Sequence, residues 1–317
     1  MRIGRAKGIS DTGRRRLRNE DAYICEPPLF AVADGMGGAR AGEIAAGLAA
    51  AALEEAGTET RGAEGVAALI AEANRRIWER SLTDPETAGM GTTVTAALVD
   101  AASGTVAIGH VGDSRAYLLR GGAIEQLTTD HSLVAELVES GILTPEEAER
   151  HPQRSAITRA LGTEPTVDVD AFTVETRAGD VFVLCSDGLS IMVADEDVAS
   201  VIEAAERDPA RAADALVAAA NARGGEDNVT VVLFEIVAAE EAEEPVDEPP
   251  VDEPPVEPPP EAESASAQGQ TQVEPEEASE PEVSRHGAGP GGRLAALFLI
   301  AAVLAIGALV LYWGMTR

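Results

Sequence analysis

Between Glu240 and Glu282 the chain carries sixteen acids and no base, with prolines in runs at Pro249-Pro250, Pro254-Pro255 and Pro258-Pro259-Pro260. A segment this proline-rich, self-repelling and poor in aromatics cannot bury enough apolar surface to offset its conformational entropy. Residues 239–292 therefore read as a disordered acidic Pro/Glu-rich linker, which confines any large core to the residues before it. Beyond the linker, Leu294 to Trp313 is twenty residues without a charge. A helix rising about 1.5 Å per residue crosses a hydrocarbon layer of about 30 Å in that length. The closing Tyr312-Trp313 pair suits an interfacial anchor. A transmembrane helix over 294–313 is the expectation; a buried core helix fits poorly, because the linker leaves it no neighbouring core.

Charge narrows the function classes. The 317 residues hold 55 acids and 24 bases, a net of −31. That excludes a nucleic-acid binder working by bulk charge, since such proteins neutralise phosphates with clustered Lys and Arg. Residues 1–238 keep 39 of the acids and 21 of the bases, a net of −18, so the folded part is acidic on its own and suited to gathering cations. The first residues, MRIGRAKGISDTGRRRLRNEDAY, contain no apolar stretch of signal-peptide type. With Arg285 and Arg293 before the apolar run and Arg317 after it, the expected location is the cell membrane, single-pass, with the larger domain cytoplasmic. Cys25 and Cys185 lie in strand-like surroundings without metal spacing and read as reduced core thiols.

Short β-rich runs at Leu29–Ala33, Thr92–Val99, Thr105–His110, Arg115–Leu119, Asp180–Cys185 and Asn228–Ile236 are bounded mostly by Gly, Asp or Ser. Helical spacing is present at Glu43–Ala56, Gly65–Ser81, Asp195–Glu206 and Pro209–Ala222. The short links among the second, third and fourth strands predict an antiparallel meander, with helices covering the sheets from outside.

Several acids sit where a strand or loop ends beside small residues: Glu20-Asp21 in RNEDAY, Asp34 in ADGMGG, Asp113 in VGDSR, Asp187 in SDGL and Asp227 in EDNVT. Carboxylates next to glycines that let carbonyls and waters come close are what a hard divalent cation needs. Taken singly each is weak evidence: Asp-Gly is a common turn dipeptide, so for Asp34 or Asp187 alone a plain turn is the readier reading than a ligand, and Asp227 before Asn228 reads also as a turn or a cap. The arginines of Arg14-Arg15-Arg16-Leu17-Arg18 offer a planar fork for phosphate or, equally, a solvated basic run; composition does not choose among them.

Order and number decide more. SDTGRRRLRNED, ADGMGG, GTTVTAAL, VGDSR, LTTDHSL, ITRALG, SDGL and EDNVT follow one another along residues 6–238. In this the chain resembles the PPM family of metal-dependent protein serine/threonine phosphatases, also called the PP2C type, and in particular its bacterial membrane-anchored members. The resemblance implies an α+β fold, a four-layer α-β-β-α sandwich of two antiparallel sheets with a metal site at one edge. It implies two Mn²⁺ or Mg²⁺ ions and a weaker third. By position, Arg16 is similar to the family's phosphate clamp. Asp34, with the carbonyl of Gly35, resembles the residue that bridges or flanks two metals; Asp21, Asp187 and Asp227 resemble the other direct ligands. Glu20 resembles the residue holding metal-bound water, and Asp113 the third-metal ligand. Residues from about Ser132 to Arg154 occupy the place of a mobile flap, with Thr144-Pro145-Glu146-Glu147 as a helix start. Met36 stands where the animal members have a histidine held to protonate the leaving oxygen, which a thioether cannot do. His110, His131, His151 and His286 match no catalytic position of the family and read as structural or surface residues.

The activity this implies is direct hydrolysis of phosphoserine and phosphothreonine in proteins, by a water shared between two divalent ions, with no phosphorylated enzyme residue. Family-level partners are phosphorylated proteins and a membrane Ser/Thr kinase whose action the enzyme opposes. Two rival readings are disfavoured: a phosphoprotein-binding adapter that has lost the chemistry, because Asp21, Asp34, Asp187 and Asp227 are all present, and an acidic membrane scaffold, because the Pro/Glu segment reads more economically as a spacer that lets the catalytic domain reach substrates near the membrane.

Overall fold

The computed structural model describes residues 1–37, 41–57, 60–148 and 150–239. The chain divides into two units, Met1–Val246 and Asp247–Arg317. The acidic linker from Glu240 onward and the apolar run 294–313 lie outside the described residues. Among the described residues no helix is long and apolar enough to cross a membrane.

Among the described residues twelve strands divide into two five-stranded sheets and a small two-stranded one. In the first sheet the order is β1 (Arg2–Asp11), β12 (Val229–Val237), β11 (Val181–Cys185), β8 (Arg115–Arg120) and β9 (Ala123–Gln126). The second runs β10 (Asp170–Glu175), β7 (Thr105–Val111), β6 (Val94–Asp100), β3 (Leu29–Ala33) and β2 (Ala22–Glu26). The short pair is β4 (Gly35–Met36) with β5 (Gly91–Thr92), and every pairing is antiparallel.

The layering follows from the two-residue period of side chains along a strand. In β12, Val229, Val231 and Leu233 enter one apolar cluster, while Val232, Phe234 and Ile236 enter another. Residues of β11 split the same way, Val181, Val183 and Cys185 against Phe182 and Leu184. So do those of β3, Leu29, Ala31 and Ala33 against Phe30 and Val32. The shared cluster lies between the sheets, and its centre is a stack in which the Phe234 ring lies 4.1 Å from Phe30 and 5.0 Å from Phe182. The outer faces are covered by α1 (Ala41–Gly57) and α2 (Gly62–Thr83) on the second sheet, and by α6 (Asp195–Ala204) and α7 (Pro209–Ala222) on the first. Three clusters between four layers make the expected α-β-β-α sandwich. Helix α7 starts where the sequence marks it, with the Asp208 side chain accepting the Arg211 N–H and Pro209 in the first turn.

The structure departs from the predicted elements in three places. The first strand begins at Arg2, ahead of residue 6, and pairs with β12 at Arg2 and Ile3 and again from Ala6 to Asp11, with a register shift between; its glycines and charges hide a period-2 pattern. Strands β2, β9 and β10 are likewise unmarked by strong alternation. The predicted meander is corrected at its third strand: β6 and β7 pair, but β8 lies in the other sheet. The turn Gly112–Asp113–Ser114 carries the chain across. Gly112 has φ +114, and a Cβ there would meet the Thr93 side chain at 2.5 Å, so the crossing needs glycine. Of the two free cysteines, Cys185 is buried and Cys25 half-buried.

Candidate metal centre

Each acid of interest sits at an element end on one edge of the sandwich. Asp21 precedes β2, Asp34 joins β3 to β4, Asp113 lies in the β7–β8 crossing, Asp187 opens the one-turn helix α5 (Asp187–Ser190) after β11, and Asp227 precedes β12. Strand ends are held by the sheets, so the carboxyls are placed by rigid elements.

The acids crowd one another. Asp34 is pushed well above the usual carboxylate range by burial and then by the charges of Asp21, Asp187, Asp113 and Asp227. Burial first, then Asp187 and Asp130, brings Asp113 to about 7. Asp21 also reaches about 7 through burial, offset by hydroxyl bonds, with Asp187 and Asp227 adding to the rise. Asp187 stands at about 6 through burial and Asp227, eased by a hydrogen bond shared with Asp34 and by Arg16 and Arg115. Five acids in one field with no lysine among them call for a cationic counter-charge.

The donor set fits hard divalent cations. One oxygen each of Asp21, Asp113 and Asp187 is buried without any hydrogen-bond partner, and a buried unpartnered carboxylate oxygen is costly unless something binds it. Asp21 Oδ2 is taken by the hydroxyls of Ser186 at 2.9 Å and Thr230 at 2.5 Å, leaving Oδ1 as its single open position. Glycines bring backbone and carboxylate oxygens close together here. A Cβ on Gly35 would meet the carbonyls of Gly42 at 2.2 Å and Glu20 at 2.5 Å, and one on Gly42 would meet the Glu20 carboxylate at 2.5 Å. Among the described residues no three His, Cys, Asp or Glu side chains close into a ready-made cage. Ligand sets that leave several positions to water have no need of one.

Arg16 hangs over this edge. Its Nη2 donates to Asp227 Oδ2 at 2.6 Å, with the side chain 53% exposed. Within the basic run Arg14 pairs instead with Asp11, while Arg16 is seen to reach Asp227. The strap bearing Arg16 and Glu20 is fixed from below by Asn228, whose Nδ2 donates to the carbonyls of Thr12 at 3.0 Å and Arg18 at 2.9 Å, while its Oδ1 accepts the Glu20 N–H at 2.8 Å. Glycines close the same contact: a Cβ on Gly13, at φ +79, would lie 2.1 Å from the Asp227 carbonyl, and one on Gly188 only 1.9 Å from the Asn228 carbonyl. Met36 lies in β4 opposite Gly91 and places a thioether, not a proton donor, beside the site.

The structure thus gathers Arg16, Glu20, Asp21, Asp34, Gly35, Asp113, Asp187 and Asp227 at one edge. Sequence reasoning did not single out Asn228, Ser186, Thr230 or His131. The first three stand inside the quoted motifs EDNVT and SDGL, so the signal was there without a role attached.

A groove of about 1120 Å³ opens beside Asp113 and Asp187. One wall is the 132–154 segment with α3 (Leu133–Glu139) and α4 (Pro145–Ala148), contributing Val134, Val138 and Arg154; the other includes Ile191 and Asp195. Helix α4 starts with a reciprocal cap, the Thr144 N–H donating to Glu147 Oε2 at 2.9 Å and the Glu147 N–H to Thr144 Oγ1 at 3.3 Å.

A family model described as Protein phosphatase 2C matches residues 14–221. The chain belongs to the protein phosphatase 2C family. This phosphatase 2C chain is 41% identical over 238 residues to the serine/threonine phosphatase stp of Listeria monocytogenes, covering 71% of this chain and 93% of the relative. The crystal structure of the Mycobacterium tuberculosis serine/threonine phosphatase PstP/Ppp superposes with a TM-score of 0.70 at 40% identity, over 74% of this chain and 100% of that one. The catalytic domain of PstP, solved in complex with two manganese ions, gives a TM-score of 0.68 at 39% identity, over 74% of this chain and 99% of that one.

Proposed function

We propose that this phosphatase 2C chain is a metal-dependent protein serine/threonine phosphatase whose site is the carboxylate edge described above. The observation that carries it is the set of three buried, unpartnered oxygens on Asp21, Asp113 and Asp187 within a field of five acids facing Arg16.

Asp34, Asp187, Asp227, the open oxygen of Asp21 and the Gly35 carbonyl would hold two Mn²⁺ or Mg²⁺ ions, Glu20 an attendant water, and Asp113 a weaker third ion. The chemistry such ions supply when bound is Lewis acidity, which lowers the pKa of water and offsets charge on phosphoryl oxygens. The protein's own residues do the rest. Arg16 exchanges its bond to Asp227 for the incoming phosphate and orients it through the planar guanidinium. The Asn228 brace keeps that strap from drifting. The groove between the 132–154 segment and α6 takes the chain around the phosphorylated residue, with apolar contacts from Val134, Val138 and Ile191. Because Met36 carries no transferable proton, the proton for the departing serine or threonine oxygen comes from water.

The substrates in this reading are phosphorylated Ser/Thr proteins, including a membrane Ser/Thr kinase that the enzyme opposes. The twenty-residue uncharged run 294–313 and its Tyr312-Trp313 end support a single-pass anchor in the cell membrane, with residues 6–238 as the phosphatase domain on the cytoplasmic side and 239–292 as the tether. Such a tether raises the local concentration of membrane-bound substrate. Hydrolysis of a phosphothreonine peptide by the chain with Mn²⁺ and with chelator tests the activity; turnover that survives complete chelation contradicts it.

A further inference from the structure

His131 is buried, 7% exposed, and lies outside every role assigned so far. Its backbone and ring grip one residue from two sides. The His131 N–H donates to the Gly112 carbonyl at 2.7 Å, and the Gly112 N–H donates back to His131 Nδ1 at 3.0 Å. Gly112 is the residue before Asp113, in the turn that carries the chain from one sheet to the other.

A ring nitrogen that accepts a hydrogen bond carries no proton, so the neutral ring holds its proton on Nε2. That nitrogen faces Asp170 Oδ2 at 3.1 Å. Arg159 Nη1 lies 2.9 Å from Nε2 and donates to Asp170 Oδ1 at 2.7 Å and to the Asp168 carbonyl at 3.2 Å, which holds the carboxylate against the ring. On its face the ring packs against His110 with centroids 4.7 Å apart. His110 is fixed in turn by Thr95 Oγ1 at 2.9 Å and the Thr129 carbonyl at 3.1 Å.

The same residue closes the stem of the 132–154 segment. The Thr158 N–H donates to the His131 carbonyl at 2.9 Å, Ser132 and Ile157 form an isolated bridge, and the Leu133 N–H donates to the Ala156 carbonyl at 2.9 Å. One residue therefore holds the stem of the groove wall with its carbonyl and the turn before Asp113 with its ring and N–H.

We propose that His131 is a positioning residue that couples closure of the 132–157 stem to the Gly112–Asp113 turn, so that the Asp113 carboxyl is set for its cation only while the stem is zipped. The cation clause rests on the reading of Asp113 given above; the coupling itself does not.

Two substitutions in the full-length chain separate the halves of the ring. In His131→Asn the amide oxygen takes the place of Nδ1 and can accept from Gly112; in His131→Gln the amide nitrogen takes the place of Nε2 and can reach only Asp170. H131N is expected to retain the parent's Mn²⁺ stoichiometry by equilibrium dialysis. H131Q is expected to bind the weakest ion roughly tenfold or more worse, the range seen when an outer-shell partner is lost. In H131Q the rise is expected in KM for a phosphopeptide, with kcat less affected. Equal effects in the two variants, or a loss confined to H131N, overturn the proposal.

Amide exchange on the unmutated chain carries the test without a substitution. Adding Mn²⁺ is expected to slow exchange at Gly112, Leu133 and Thr158 together; slowing at Gly112 with no change at Leu133 and Thr158 overturns the coupling. If Asp113→Asn keeps the full ion count, the cation reading of Asp113 fails separately, and exchange at the three amides still decides the coupling.

Discussion

Arg16 Nη2 and Asp227 Oδ2 form a 2.6 Å ion pair across the mouth of the carboxylate cluster. One partner is the group assigned to phosphate and the other an assigned cation ligand, so the pair links the two halves of the site. A planar guanidinium bound to one carboxylate oxygen leaves its remaining N–H groups turned outward, ready for an anion.

Replacing Arg16 with Lys keeps the charge and removes the fork. R16K is expected to raise KM for a phosphothreonine peptide roughly tenfold, the scale of one charge-assisted hydrogen bond, while Mn²⁺ affinity changes little. Steady-state kinetics beside metal titration check this; an unchanged KM argues that Arg16 does not touch the phosphate.

Asn228 satisfies three backbone groups of the Thr12–Glu20 strap with one side chain. Asn228→Ala leaves them unpaired in a part-buried place, at a cost of about 1–3 kcal/mol for such a group. Thermal melting is expected to fall, and KM to rise as it does for R16K. A melt and KM equal to the parent's would remove Asn228 from the account.

Without divalent cations the acid cluster gives stability a definite pH slope. Asp21 and Asp113 stand at about 7 against an ordinary 3.8, so between about 4 and about 7 the folded state holds more protons than the unfolded chain. Stability is then full below about 4 and is lost as pH rises through about 7. Melting in chelator across that range is expected to show a falling Tm, flattened by Asp113→Asn and abolished by Mn²⁺. A Tm that rises with pH in chelator contradicts the buried-cluster picture.

The three stacked phenylalanines between the sheets hold the layers that place the strand ends. Phe234→Ala is expected to cost about 3–5 kcal/mol, the usual range for removing a buried ring. Denaturant unfolding measures it; a loss below about 1 kcal/mol would mean that the inter-sheet core re-forms around the gap.

What the sequence made legible was the chemistry more than the path of the chain. Asp34, Asp187 and Asp227 each read alone as a turn beside Gly or Asn and become legible only through the order and number of the motifs that hold them; the structure brings all three to one edge. Helix α7 is legible to the residue because Asp208 and Pro209 mark its start locally. Strand β1 was hidden, since RIGRAKGISD draws its order from the long ladder with β12 and not from its own pattern. The sheet change after β7 was hidden for a related reason: the short link at Gly112 reads as a hairpin turn, and only the tight contact with Thr93 tells the two apart. The roles of Asn228 and His131 depend on partners apart in sequence, Thr12 and Arg18 for one and Gly112 and Thr158 for the other, which no local pattern encodes.

Metal-dependent catalysis at the carboxylate edge is tested by hydrolysis of a phosphothreonine peptide by the full-length chain, titrated with Mn²⁺ from a chelated start, beside Asp187→Asn. Turnover is expected to appear with the metal, vanish in chelator and be lost in a folded D187N protein. Turnover independent of added metal, or retained in D187N, would contradict it.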